Sequence, residues 1–250
     1  MLVQCYMLTT MIGVEKMSIV EKVYGKGFKT ILWFATPFKK YFVQTFCQVH
    51  MFINKQALEI LKNDGHREAY EFFRQYQDQI NKGVYWADQD FRSREHFYNP
   101  YTHKGLYGCK NSRQRFARYY GCAKVYWDSG DKEMAMTYLG AAVHLIQDST
   151  VPQHGDIYLL KSHRRFEQWI KAVHNNFENY AASQGGIYIE NPYDYIERNA
   201  KDAIGIYRRY SLVEGRRDRF YKIAGQIFPM AQRTTAGCLL NFYKEVEGKI

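Results

Sequence analysis

Apolar residues recur at three- and four-residue spacing along most of the chain, the period of an amphipathic helix. Ile53, Leu58 and Leu61 mark such a helix over residues 49–61, and Asn63, Asp64 and Gly65 supply its stop. The pattern predicts a second helix over 66–82, ended by Gly83, and then a long Gly-, Asn- and Pro-containing loop over 83–108. Periodicity returns over 112–127, and the turn Asp128-Ser129-Gly130-Asp131 separates this helix from the next, over 132–147, which Pro152 closes. Further helices are expected over 160–180, 192–212 and 220–246, with Gly185-Gly186 as the break among them. Residues 1–36 carry no sustained period and read as an extension or leader, which leaves 37–250 as one domain. The expected fold class is therefore all-α, a compact multi-helix domain.

Composition narrows this picture only slightly. Hydrophobic residues make up 46% of the 250 positions and charged ones 24%, an ordinary balance for a globular domain. No window approaches the roughly 18 uninterrupted apolar residues of a membrane-spanning helix. A formal net charge of +10 predicts attraction to polyanions, either nucleic acid or the headgroups of an anionic membrane. The five cysteines are scattered and never form a C-x-x-C pair, which argues against a disulfide framework and against a cysteine-rich zinc site.

Chemistry concentrates in Tyr138-Leu139-Gly140-Ala141-Ala142-Val143-His144-Leu145-Ile146-Gln147-Asp148, followed by Pro152-Gln153-His154 and by His163-Arg164-Arg165-Phe166-Glu167. Helix residues four apart point the same way, so His144 and Asp148 can converge on one metal ion and His163 and Glu167 on another. His154, just past the proline, is free to join either. One such pair alone is more often a surface hydrogen bond. The surroundings of His144 and Asp148 change that balance, because a carboxylate carried on the same helix as the apolar run Leu139 to Ile146 is costly to bury unless a cation offsets it. Two more candidates lie in the long loop, Asp88 in Gly83-Val84-Tyr85-Trp86-Ala87-Asp88 and His96 in His96-Phe97-Tyr98-Asn99-Pro100, while His50 opens the first helix. For His66, His103 and His174 surface positions are the default.

Taken in order, these motifs resemble the zinc-dependent, bacterial-type phospholipase C family, as does the late segment Ala231-Gln232-Arg233-Thr234-Thr235-Ala236-Gly237; the resemblance runs from about residue 49 to 243. It implies a helical domain holding two to three zinc ions. Asp88, His96, His144 and Asp148 would hold one ion, and His154, His163 and Glu167 a second. His50 and a bridging Asp148 would take part in a third. The implied activity is hydrolysis of the phosphodiester of glycerophospholipids to diacylglycerol and a phosphorylated headgroup, with Asp88 as catalytic residue. It implies a monomer that is secreted or associated with a membrane surface.

The sequence departs from the family at two places. The family completes its third site with an N-terminal tryptophan exposed by processing, and none stands in the matching window of residues 37–40. The expectation is a third site built differently, with Cys47 as a candidate, or one that is weaker or absent. Between Asp88 and His96 only seven residues intervene, fewer than in choline-lipid-cleaving members, and Gln89 stands where those carry an aromatic. Because the sequence stops soon after the last family motif, the expectation is a catalytic domain without a membrane-docking β-sandwich. Two rival readings remain: a single-strand-specific zinc nuclease on the same scaffold, and a catalytically weak protein that binds membrane surfaces.

Overall fold

A computed structural model describes residues 48–89, 95–106, 110–156, 165–166, 168–170 and 178–248. The leader at 1–36, the domain boundary at 37, Cys47, His163 and Glu167 all lie outside the described residues. Residues 48–63 form helix α1. It is followed by α2 (Arg67–Arg74), α3 (Gln77–Ala87), α4 (Ser112–Asp128), α5 (Lys132–Asp148) and the short α6 (Pro152–Gly155). A 3₁₀ turn (Pro192–Asp194) leads into α7 (Tyr195–Arg209), and α8 (Arg216–Glu247) closes the described chain. No strand occurs among the described residues, in agreement with the all-α expectation.

Local sequence sets the helix starts. Asn111 and Gln114 form a reciprocal capping box for α4, and the Asp131 carboxylate accepts the Met134 amide at the start of α5. From Leu139 to Asp148 every residue of α5 is buried, which makes it the central helix of the domain. It packs chiefly between α3 and α4.

The α3–α5 contact overturns one sequence expectation. Gly83 does not end a helix; α3 runs through it to Ala87, and the expected single helix over 66–82 is instead broken near Gln75 and Tyr76. A β-carbon at Gly83 would collide with the Thr137 carbonyl oxygen, and one at Gly140 with that of Ile80. The two glycines let the backbones of α3 and α5 touch, so Gly83 serves close packing rather than termination. The loop consequently starts later than expected, and Asp88 becomes the C-cap of a helix.

Two apolar clusters flank a polar layer. One gathers around α5 and includes Ile60, Leu61, Phe73, Phe116, Tyr120, Leu139, Leu145 and Phe242. The other joins Val49 and Ile53 to Phe166, Ile170, Ala203, Phe220, Ile223 and Ile227. Helices α1 and α8 run through both, and where each passes from one cluster to the other its buried residues turn polar: His50 and Asn54 on α1, Gln232, Thr234 and Thr235 on α8. On α5 the same level carries Gln147 and Asp148, and on α7 Asn199. Buried polar groups persist only when partnered, and in this layer they partner one another across α1, α5, α7 and α8.

Candidate metal centre

Three segments bring the central group together. His144 and Asp148 lie one turn apart at the end of α5, and Asp88 caps α3 where the glycine contact presses that helix against α5. His96 comes from the loop over 95–106, which is fastened at several points. The Tyr98 amide donates to the His154 carbonyl at 3.0 Å, the Ser112 amide donates to the Phe97 carbonyl at 3.1 Å, and the Asn99 side chain accepts the amides of Tyr101 and Thr102. The first of these bonds also ties the His96 loop to α6, which carries His154.

The ligand-type atoms of Asp88, His96, His144 and Asp148 all lie within 4.8 Å of one another. His144 Nε2 stands 3.2 Å from Asp148 Oδ2, 3.3 Å from Asp88 Oδ1 and 3.3 Å from His96 Nδ1. His96 Nδ1 is 2.7 Å from Asp148 Oδ2 and 3.8 Å from Asp88 Oδ1. Four ligands at about 2.0–2.1 Å from a tetrahedral zinc ion would be spaced about 3.3–3.4 Å apart, so these separations bracket what the ion requires. Two imidazole nitrogens and two carboxylates also form a donor set suited to zinc. The residues present fit the metal.

Electrostatics point the same way. Burial opposes charge on His144, but the carboxylates of Asp148 and Asp88 outweigh it and raise the imidazole pKa to about 10 in the metal-free protein. Burial likewise opposes ionisation of Asp148, yet His144 and His154 hold it well below the usual carboxylate range. Asp88 is also lowered against the effect of burial, mainly by His144. Two ionised carboxylates thus share a site from which water is largely excluded, and in the absence of metal the protonated His144 supplies the positive charge between them. Asp88 is the most accessible of the four, its side chain 18% exposed while that of His144 is fully buried.

The other oxygen of Asp148 faces a different neighbour. His50 Nε2 lies 3.5 Å from Asp148 Oδ1, and the His50 ring sits 4.2 Å from that of His144. Burial and the neighbouring His144 both lower the His50 pKa, which favours the neutral ring. His50 Nδ1 bonds Gln147 Oε1 at 2.7 Å, and Gln147 Nε2 donates to Asn54 Oδ1 at 2.8 Å and to Thr235 Oγ1 at 3.3 Å. His154 Nδ1 stands 3.6 Å from Asp148 Oδ2, with the Phe97 ring packed against its imidazole.

Of the eight residues expected from the sequence, six therefore gather around Asp148: His50, Asp88, His96, His144, His154 and Asp148 itself. His163 and Glu167 lie outside the described residues. His103 is exposed, and its ring bonds the Tyr98 hydroxyl; His66 packs edge-on against Tyr188. Gln147, Asn54 and Thr235 were not anticipated, although a glutamine directly after the apolar run and an asparagine one turn after His50 were visible signals. The Ala231–Gly237 motif acquires its use here: Gln232 accepts the Ala182 amide and donates to the Tyr180 carbonyl, Thr234 meets Asn199, and Thr235 meets Gln147.

Comparisons with known proteins bear on the family and the fold. The profile of the family described as zinc dependent phospholipase C matches residues 49–212. A phospholipase C of Clostridium novyi is 23% identical over 236 residues, covering 79% of this chain and 58% of its own length. One from Listeria monocytogenes is 27% identical over 146 residues, covering 52% of this chain and 50% of its own. Among solved structures, the alpha toxin of Clostridium absonum superposes with a TM-score of 0.69 at 22% identity, over 80% of this chain and 64% of that one. The alpha-toxin of Clostridium perfringens gives 0.68 at 19% identity, over 81% and 64%. The chain thus spans less than two thirds of the length of these proteins, and the structural likeness speaks for the fold. The profile covers well over half of the chain and includes His50, Asp88, His96, His144, Asp148 and His154, so this chain belongs to the zinc-dependent phospholipase C family.

Proposed function

We propose that the protein is a zinc-dependent phospholipase C, cleaving the phosphodiester of glycerophospholipids to diacylglycerol and a phosphorylated headgroup. The observation that carries this reading is the convergence of Asp88, His96, His144 and Asp148 at zinc-compatible spacing within a fold shared with alpha toxins. In this reading these four residues hold one ion and His154, with His163 and Glu167, a second. Asp148 turns Oδ1 toward a third position that His50 faces. Bound zinc would neutralise the phosphate oxygens and acidify a water molecule for in-line attack on phosphorus. Asp88, ionised and the most accessible of the four, orients that water and accepts its proton.

The proposed partner is a phospholipid surface, reached by a secreted or surface-associated monomer. Among the described residues no helix is long and apolar enough to cross a membrane. The turn between α7 and α8 supports a lipid partner: Leu212 is 93% exposed there, amid the exposed Arg208, Arg209, Arg216 and Arg217. An exposed apolar side chain with arginines before and after it in the chain suits the boundary of headgroup and acyl chain. The +10 charge also favours a second reading, hydrolysis of single-stranded nucleic acid. The test is zinc content by mass spectrometry beside zinc-restored hydrolysis of phosphatidylcholine, other phospholipids and single-stranded DNA. Lipid turnover with two or three zinc ions per chain is expected. Turnover of DNA alone would replace this reading with the nuclease, and no turnover on any substrate would leave a metal-stabilised binding protein.

A further inference from the structure

The polar layer contains a chain of side-chain amides that ends at His50. The Asn54 amide nitrogen donates to Asn81 Oδ1 at 3.0 Å, which leaves Asn54 Oδ1 to accept from Gln147 Nε2 at 2.8 Å. Thr235 Oγ1 takes a second bond from the same nitrogen. With its amino group so committed, Gln147 turns Oε1 toward His50 Nδ1 at 2.7 Å, and an oxygen there can only accept. His50 Nδ1 must then carry the proton, and Nε2 presents a lone pair to Asp148 Oδ1.

The distance at that end agrees with this polarity. At 3.5 Å, His50 Nε2 and Asp148 Oδ1 are too far apart for a good N–H···O bond, whose usual length is about 2.9–3.0 Å. Two acceptors facing each other across about that gap are spaced as two ligands on one small divalent cation. The reverse polarity, with Nε2 donating to Asp148, would shorten this gap and turn the amide chain around.

We infer that Gln147, oriented by Asn54 and Thr235, is a positioning residue that locks His50 in the Nδ1-protonated tautomer and so builds a ready cation position on the Oδ1 side of Asp148. This rests on the zinc reading for the identity of the ion, but not for the tautomer. The amide chain joins α1, α3, α5 and α8, and Gln147 and Asn54 are both almost fully buried. It therefore substitutes rigidity of the protein for ligands that would otherwise have to orient the ring, in the way an outer partner fixes a metal-binding histidine elsewhere.

The test is ¹⁵N NMR of the full chain labelled at histidine, first without metal and then during zinc titration, with the His50 signals assigned by their loss in His50→Gln. Wild type is expected to carry the His50 proton on Nδ1. Gln147→Leu is expected to lose that tautomer and to weaken the most loosely held zinc ion by about ten- to a hundredfold, leaving the ion between His96 and His144 unchanged. Gln147→Glu, which still offers an accepting oxygen, is expected to restore both. A wild-type His50 protonated on Nε2 overturns the inference whether or not any variant folds. So does a Gln147→Leu protein that keeps the tautomer and the zinc affinity. Wild-type protein with the Nδ1 tautomer but no zinc binding would instead overturn the functional reading and leave the lock standing.

Discussion

The two oxygens of Asp148 face two kinds of construction. Oδ2 looks onto His96, His144 and His154, with Asp88 completing a group whose members come from α3, α5, α6 and a tethered loop. Oδ1 looks onto His50, which is steered by neutral amides instead of by charge. The first side is electrostatically poised: carboxylates hold a proton on His144 that a divalent ion could replace. The second is poised by geometry, with a neutral ring fixed in one orientation. On the proposed reading, one carboxylate serves two positions that respond to different perturbations, charge on one side and hydrogen-bond direction on the other.

The largest effect should come from Asp148→Asn, which removes the charge common to both sides. Turnover is expected to fall at least about a thousandfold, equivalent to about 4 kcal/mol, with zinc lost from both positions in a chelator titration. Retention of full zinc content would break the comparison at its root. Asp88→Asn acts on the Oδ2 side alone. It should lower kcat by about a hundredfold to ten-thousandfold, while the zinc near His50 keeps its affinity. Next comes Asn54→Ala, which frees the Gln147 amide to rotate. The loosest zinc should weaken by about tenfold, with kcat at saturating zinc little changed.

The smallest effect is the pH dependence of the chelated protein. Asp88 and Asp148 are lowered in the fold, so their contribution is present above the ordinary carboxylate value and lost as pH falls through the folded values. His50 is lowered too, so its neutral form adds stability that fades below about 6.5. His144 is raised to about 10, so its contribution is full below 6.5 and lost as pH rises toward 10. The melting temperature without metal is therefore expected to peak near pH 6.5 and decline on both sides. Added zinc, by displacing the His144 proton, should stabilise more at pH 8 than at pH 6. A flat alkaline limb would show that His144 is not held protonated between the two carboxylates.

The helical period revealed most of the elements, and the i, i+4 pair of His144 and Asp148 was legible because it interrupts an apolar run. Asp88 and His96 were legible through the motifs around them. Gly83 was misread because a glycine near a helix end looks the same whether it stops the helix or admits a neighbouring backbone. Only its partner Gly140, 57 positions away, decides between the two. The amide chain was hidden for the same reason. Gln147 meets His50 across 97 residues and Asn54 across 93, and no local pattern encodes such a meeting. Sequence periodicity reports which face of an element is apolar; it does not report which polar residues from distant elements will share one buried layer.

The most direct test of the metal centre is a crystal structure of zinc-loaded protein with anomalous diffraction measured on both sides of the zinc absorption edge. The account predicts a peak enclosed by Asp88 Oδ1, His96 Nδ1, His144 Nε2 and Asp148 Oδ2, and a second beside Asp148 Oδ1 within bonding reach of His50 Nε2. A zinc-saturated crystal with no anomalous peak among the first four atoms would contradict it.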